Sequence, residues 1–136
     1  MSYGMGAALQ AAVYGRLQAD AALVALVGDA IYDAAPAGGA AGMYVSLGVD
    51  EARDRSDGTG AGAVHDFTVS VVTDASGFAA AKDAAAAISD ALVDAALVLS
   101  RGRLVSLGFL RARARRVPGG ALRQIDLRFR ARVEDN

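Results

Sequence analysis

Arg111, Arg113 and Arg115, and again Arg128, Arg130 and Arg132, fall at every second position near the end of a 136-residue chain. Alternate residues of an extended strand point to one side, so each run offers a row of guanidiniums. A guanidinium is planar and permanently charged, and its paired N–H groups match a carboxylate or a phosphate. Three uses compete: a phosphate-binding surface, a contact with acidic groups of a second copy, and a solvated sheet face. Phosphate binding has the arginine chemistry in its favour. Against it, no aromatics interleave on that face for base stacking, and the whole chain carries a net charge of −1.

Other chemistry is harder to assemble. His65 is the only histidine, so a His-based zinc cluster is excluded. Asp66 follows it directly, but neighbours on a strand point to opposite faces, which argues against a catalytic pair. An ordinary histidine at the entry of a strand is the expectation. There is no Gly-x-Ser-x-Gly elbow, and without cysteine there is no thiolate nucleophile, thiolate metal site or disulfide. Gly58-Thr59-Gly60-Ala61-Gly62 lacks the Gly-Lys-Ser/Thr of a phosphate loop, and a strand rather than a helix follows. Asp50, Glu51, Asp54 and Asp57 lack the spacing of a calcium loop and read as a solvated segment, with Arg53 and Arg55 among them. No metal or cofactor is expected.

Charge is divided along the chain. Residues 1–100 hold 12 acids against four basic residues, a net of −8, and residues 101–136 hold ten arginines against three acids, a net of +7. One acidic part and one basic part allow a second copy to dock head to tail. The near-exclusive use of Arg over Lys (only Lys82), with much Ala and Gly, fits a GC-rich genome. No apolar run reaches the ~18 residues of a membrane span. The longest, Ala79 to Leu99, is interrupted by Lys82, Asp83, Asp90 and Asp94. The N-terminus has no basic segment leading into an apolar core, so no signal peptide is expected and the chain reads as soluble and made in the cytoplasm.

These residues need elements to position them. Leu9, Val13 and Leu17 recur every four positions and predict a helix over Ala7–Leu17. Asp20 can cap a second, Ala21–Val27, which Gly28 ends. Ile31–Tyr32 is a short strand, Ala34–Gly42 a loop, and Met43–Val49 a strand. Glu51–Ala63 is polar and Gly-rich, with too little apolar surface to offset its ordering entropy, so a mobile loop is expected. His65–Thr73 alternates through Phe67, Val69 and Val71. Phe78, Ala81, Ala85, Ile88, Leu92, Ala95 and Leu99 then form a helical stripe that covers the sheet, with Ser76 as N-cap and Gly102 at its end. Full burial of Phe78, Ile88, Leu92 and Leu99 would contribute about 1.5–3 kcal/mol each.

The last segment is a hairpin whose register can be argued. A two-residue turn at Gly119-Gly120 opposes Ala114 to Ile125, Ala112 to Leu127 and Leu110 to Phe129, all on one face. The other face then pairs Arg113 with Asp126, Arg111 with Arg128, and Arg115 with Gln124. A slip of one residue would oppose Arg113 to Ile125 and mix the faces, so this register is preferred. Its cost is like charge at Arg111 and Arg128, which an acidic partner would relieve. The expected fold is a single α+β domain over residues 1–136. Its mainly antiparallel sheet has four to five strands, helices on one face, and a closing C-terminal hairpin.

The order of elements carries a resemblance. Ala8-Leu9-Gln10 opens the first helix, followed by Leu17-Gln18-Ala19-Asp20-Ala21-Ala22-Leu23 and Ile31-Tyr32-Asp33. Then come Pro36, Tyr44-Val45-Ser46-Leu47-Gly48, the Gly-rich loop, His65, Ala80-Ala81-Lys82 and the hairpin ending Phe129-Arg130-Ala131. In this the chain resembles the tail-completion, or tail-terminator, proteins of long-tailed bacteriophages and phage-like gene transfer agents. Met43 departs from the pattern, since the family often has Pro before the Tyr-Val pair. The resemblance implies a structural part without catalysis or cofactor. Similar proteins form a ring, commonly a hexamer, at the head-proximal end of the tail, where it caps the tail tube, ends its polymerisation and joins a head-side connector or stopper protein. DNA would pass through the lumen without specific binding. The six hairpin arginines would serve the subunit interface, and Asp50, Glu51, Arg53, Asp54, Arg55 and Asp57 would line the lumen or touch a neighbour. A head–tail connector or neck protein is the nearest alternative, and a nucleic-acid-binding module using the Arg-rich hairpin comes after it.

Overall fold

In the computed structural model, residues 3–36, 39–58 and 60–135 are described. Ala37, Gly38 and Thr59, within the loops expected at Ala34–Gly42 and Glu51–Ala63, lie outside the described residues. Helix α1 (Gly6–Ala19) buries Leu9, Val13 and Leu17 along one side, as the four-residue spacing requires. The Asp20 side chain then accepts a hydrogen bond from the Leu23 N–H at 3.0 Å and starts α2 (Ala21–Val27). Gly28 closes α2, its N–H donating to the Val24 carbonyl at 2.7 Å.

The sheet comprises β1 (Ile31–Tyr32), β2 (Tyr44–Asp54), β3 (Gly62–Thr73), β4 (Arg103–Arg116) and β5 (Arg123–Glu134), in the spatial order β1-β2-β3-β5-β4. Only β1 runs parallel to its neighbour, so the sheet is mixed but mostly antiparallel. Helix α3 (Ala79–Leu92) joins β3 to β4 and packs with α1 and α2 on one face. Its inward residues are mostly alanines with Ile88 and Leu92, which lets it lie close to the sheet. At the centre the buried Phe129 ring stacks on Phe67 with centroids 5.6 Å apart, and Phe109 meets it edge-on at 5.9 Å. The α+β class therefore holds.

Local expectations change where tertiary contacts outweigh local pattern. The polar segment Glu51–Ala63 is largely strand, since β2 runs on to Asp54 and β3 begins at Gly62. Pairing of Ala63 with Val133 buries both on the core side, while the outward residues of β2 stay in water. His65 is thus the fourth residue of β3 rather than its entry. Helix α3 stops at Leu92 and not at Leu99. Val93 is extended and Asp94 takes the left-handed conformation (φ 56°), which Asp tolerates better than most residues. The Asp94 N–H donates to the Leu107 carbonyl at 3.0 Å, and the chain reaches a buried Leu99 along this non-helical path. Ser76 makes no cap, and α3 starts without a side-chain cap bond. Thr73 Oγ1 instead accepts from the Ala75 N–H. Gly102 opens β4: at φ 65° an added Cβ would sit 2.3 Å from the Glu134 carbonyl oxygen.

The hairpin keeps the expected register from Arg116 opposite Arg123 to Arg111 opposite Arg128. The turn spans Pro118–Ala121 rather than two residues, closed by the Val117 N–H donating to the Leu122 carbonyl at 2.9 Å. A bulge between Phe109 and Arg111 then puts Phe109, not Leu110, opposite Phe129, and this is what allows the ring contact.

Phe129→Ala is expected to cost about 3–5 kcal/mol, because the cavity would open in the middle of the core. Val98→Ala, at a residue 92% exposed, should stay within about 0.5 kcal/mol. Urea unfolding of both variants checks this contrast.

Candidate assembly surface

Along β5 the residues Ile125, Leu127, Phe129, Ala131 and Val133 are buried on the helix side. Gln124, Asp126, Arg128, Arg130 and Arg132 therefore face the other way, where no helix lies. The register adds Arg111, Arg113 and Arg115 from β4 to this helix-free face, opposite Arg128, Asp126 and Gln124. The two runs do share one face, as expected.

They do not share one fate. Arg130 grips Asp66 with two hydrogen bonds, Nε to Oδ1 at 2.8 Å and Nη2 to Oδ2 at 3.0 Å. Arg53 reaches the same Oδ2 at 3.4 Å. Hydrogen bonding from Arg130 outweighs burial and, with Arg53, holds the Asp66 carboxyl below the usual carboxylate range. Burial pushes the Asp126 carboxyl up, but hydrogen bonds from Ser70 and Gln124 and the nearby Arg115 outweigh it, so its pKa too is lowered. Arg115 and Arg130 are thus engaged within the subunit. Among the described residues, Arg111, Arg113, Arg128 and Arg132 form no ion pair, and the Nε atoms of Arg128 and Arg132 are buried without a hydrogen-bond acceptor. A concavity of about 750 Å³ lies over this region, with Arg111, Arg113 and Arg128 beside the hydroxyls of Ser46, Thr68 and Ser70.

The charge division along the chain has become a division between layers. The helices and their connections carry Asp20, Asp29, Asp33, Asp74, Asp83, Asp90 and Asp94 against Arg16, Lys82 and Arg101. The helix-free face carries the uncompensated arginines.

The residues of the β2–β3 hairpin separate similarly. Asp50 turns to the helix side, where Oδ1 lies 3.4 Å from His65 Nδ1 and Oδ2 accepts a short hydrogen bond from the Tyr3 hydroxyl. This hydrogen bond is the main cause that raises the Tyr3 pKa. His65 is fully buried and stacks on the Tyr3 ring at 5.6 Å. His65 and Asp66 do point to opposite faces. The association of His65 with Asp50 and Tyr3 escaped the sequence reading, because strand pairing of Ala52 with His65 lies inside the segment expected to be a loop. Asp57 serves the turn, with Oδ1 accepting from the Gly60 N–H at 3.0 Å. Ser56 donates to Asp54, which lowers the Asp54 pKa. Glu51, Arg53, Asp54 and Arg55 are exposed. Among the described residues no cluster of metal-ligating side chains exists.

The depressed Asp66 carboxyl stabilises the fold above its unfolded pKa of ~3.9, and that contribution is lost as pH falls through the lower folded value. Asp66→Asn should reduce stability at pH 7 by about 1 kcal/mol, allowing for screening at the half-exposed Arg130. It should also flatten the acid limb of the stability curve. Urea midpoints measured from pH 7 down to pH 3 give both.

Comparison with known proteins bears on this surface as a whole. A chain in the solved "Virion of native gene transfer agent (GTA) particle" superposes with a TM-score of 0.91 and 68% sequence identity, over 98% of this chain and 99% of that one. None of the curated proteins matches. The family model described as tail completion protein gp17 matches residues 11–134, from the second turn of α1 to the end of β5. With the sheet, the arginine face and all of the helix layer but the first turn of α1 inside that match, the chain belongs to the tail completion protein gp17 family.

Proposed function

We propose that copies of this protein close into a ring, six by analogy with similar proteins, at the head-proximal end of a phage-like tail. The ring caps the tail tube, ends its polymerisation and joins the tail to the head-side connector or stopper protein. The part is structural and not an enzyme. Residues 1–136 act as one domain, made in the bacterial cytoplasm and carried in the particle, and DNA crosses the lumen without being held.

The observation that carries this reading is a set of arginines without ion-pair partners among the described residues on one face, and an excess of acids in the helix layer on the other. Arg111 and Arg128 stand directly opposed, an arrangement unfavourable in an isolated subunit. A neighbour presenting its acidic helix layer or its β2–β3 hairpin relieves that repulsion. Contact between different patches of one chain is heterologous and generates a ring when the rotation closes. The likeness to a chain of a gene transfer agent virion supports placing the ring in such a particle. Asp50 drops out of the residues proposed for the lumen, since His65 and Tyr3 engage it. Glu51, Arg53, Asp54, Arg55 and Asp57 stay in the proposed set, at a hairpin that faces the lumen or a neighbour.

Arg111→Glu combined with Arg128→Glu should leave the circular dichroism spectrum of the subunit unchanged and weaken ring formation at least about tenfold. Negative-stain images with tail-tube protein read the outcome, and normal capping by the double variant would sink this use of the arginine face. Tight, steeply salt-dependent DNA binding by the unmodified protein would favour the nucleic-acid reading instead. Replacing residues 55–61 by a two-residue Asn-Gly turn preserves both strands and should impair capping while the subunit still folds. Unimpaired capping would show that the hairpin tip is not part of the contact.

A further inference from the structure

Both outer edges of the sheet carry long stretches of unpaired backbone, and they match. On one edge, β4 has a single external hydrogen bond among the described residues, from the Asp94 N–H to the Leu107 carbonyl. Beyond it Phe109–Arg116 has no outer partner, and Phe109 and Leu110 are 45% and 41% exposed. On the other edge, β1 pairs with β2 only at Val45 and Ser46, so among the described residues Leu47–Asp54 has no outer strand neighbour. An open edge of seven or eight residues is a template for another strand unless charge or twist blocks it.

Charge blocks one kind of pairing and admits another. Arg111, Arg113, Arg115 and Arg116 would repel the same edge of a second copy. The β2 edge lacks that block: Glu51 and Arg53 balance on the helix-free face, and Asp50 and Asp54 lie on the helix side. The directions are also compatible. Strands β2 and β5 run one way and β3 and β4 the other, so β4 of one copy beside β2 of the next makes an antiparallel pair. Both sheets then keep their helices on the same side. Glu51 and Arg53 share the helix-free face with Asp66 and Val64, which would place Glu51 level with the β4 arginines.

We propose that the β4 edge of one subunit, over Phe109–Arg116, pairs with the β2 edge of the next, over Gly48–Asp54, so that the ring is held by one continuous sheet. This rests on the ring reading above and names its partner surface. The free stretches lie towards opposite ends of the sheet, since Arg53 is in line with Val64 and Arg132 whereas Arg113 is in line with Asp126 and Ser70. The pairing must therefore be staggered, and stagger is the condition for closing a sheet on itself with tilted strands.

The natural absence of cysteine makes cross-linking unambiguous. Ala52→Cys is combined in turn with Leu110→Cys, Ala112→Cys and Ala114→Cys, and assembled rings are oxidised. One combination should yield a ladder of covalent multimers ending at the ring number, while each single variant gives none beyond background. Rings visible in micrographs without a ladder from any combination would overturn the edge pairing but leave the ring reading standing. A strong dimer from Ala112→Cys alone would also overturn it, since that requires β4 to meet β4. If the unmodified protein forms no ring with tail-tube protein, both readings fall. Hydrogen exchange on the unmodified protein gives a second reading without substitutions. Amides in 48–54 and 109–116 should exchange at least about tenfold more slowly in the ring than in the free subunit, and unchanged rates in both segments would exclude the pairing.

Discussion

From Gln124 to Val133, strand β5 has to be apolar at odd positions and polar at even ones, and the rest of the molecule depends on that alternation. Ile125, Leu127, Phe129, Ala131 and Val133 lie under the helices, while Asp126, Arg128, Arg130 and Arg132 lie on the side without helices. Moving the strand by one residue against β3 or β4 would bring guanidiniums under α3 and leave Phe129 in water. Burying an unpaired charge costs several kcal/mol, and exposing a buried aromatic forfeits about 1.5–3 more. Because β5 lies between β3 and β4, its register sets theirs. Asp66 meets Arg130 and Arg111 meets Arg128 as consequences of where the core residues must go.

The same reasoning explains what could be read from the sequence. Where a residue's environment follows from local periodicity, the reading holds: Leu9, Val13 and Leu17 on α1, Asp20 at the start of α2, and the hairpin from Arg116 to Arg111. It fails where a distant partner decides. Nothing near Glu51–Asp54 or Gly62–Val64 signals strand, because the burial comes from Val133 and its neighbours some seventy residues later. The stripe through Ala95 and Leu99 has helical spacing, yet the carbonyl of Leu107 captures Asp94 and ends the helix at Leu92. The bulge at Leu110 is invisible because Leu110 and Phe109 are both apolar, and only the ring contact with Phe129 selects between them. For the arginines, alternation was enough to place all six on one face. That Asp66 would engage Arg130 required the pairing of β3 with β5, and Asp126 takes Arg115 across the hairpin rather than Arg113 directly opposite.

The arginines with internal partners and those without do different physical work. Arg130 and Arg53 neutralise Asp66, which is 7% exposed and could not remain charged there alone. Arg111 and Arg113 neutralise nothing in the subunit. Their cost there is mutual repulsion in water, which screening keeps small. Against an acidic neighbour the same charges lose solvent and gain attraction together. That makes them poor contributors to folding and better suited to selecting a partner, since a second basic face is rejected by the same charges. On the proposed reading, the division between folding and recognition runs between residues two positions apart on one strand.

In the proposed ring, self-limitation has to come from geometry, because charge alone does not count subunits. An acidic layer meeting a basic layer would propagate indefinitely if successive copies were related by translation or an open screw. Curvature within the subunit sets the rotation between neighbours, and the sheet has two places that impose it on β4, the irregularities between Leu104 and Ser106 and between Phe109 and Arg111, with a third on β2 between Leu47 and Asp50. Each adds local twist to an outer strand, on the edges where a neighbour would attach. The irregularity at Leu110 is also tied to the core, since it is what sets Phe109 against Phe129. In this view the extra residue at each irregularity bears on assembly: charge selects which surfaces meet, and the bulged edges determine whether the series closes.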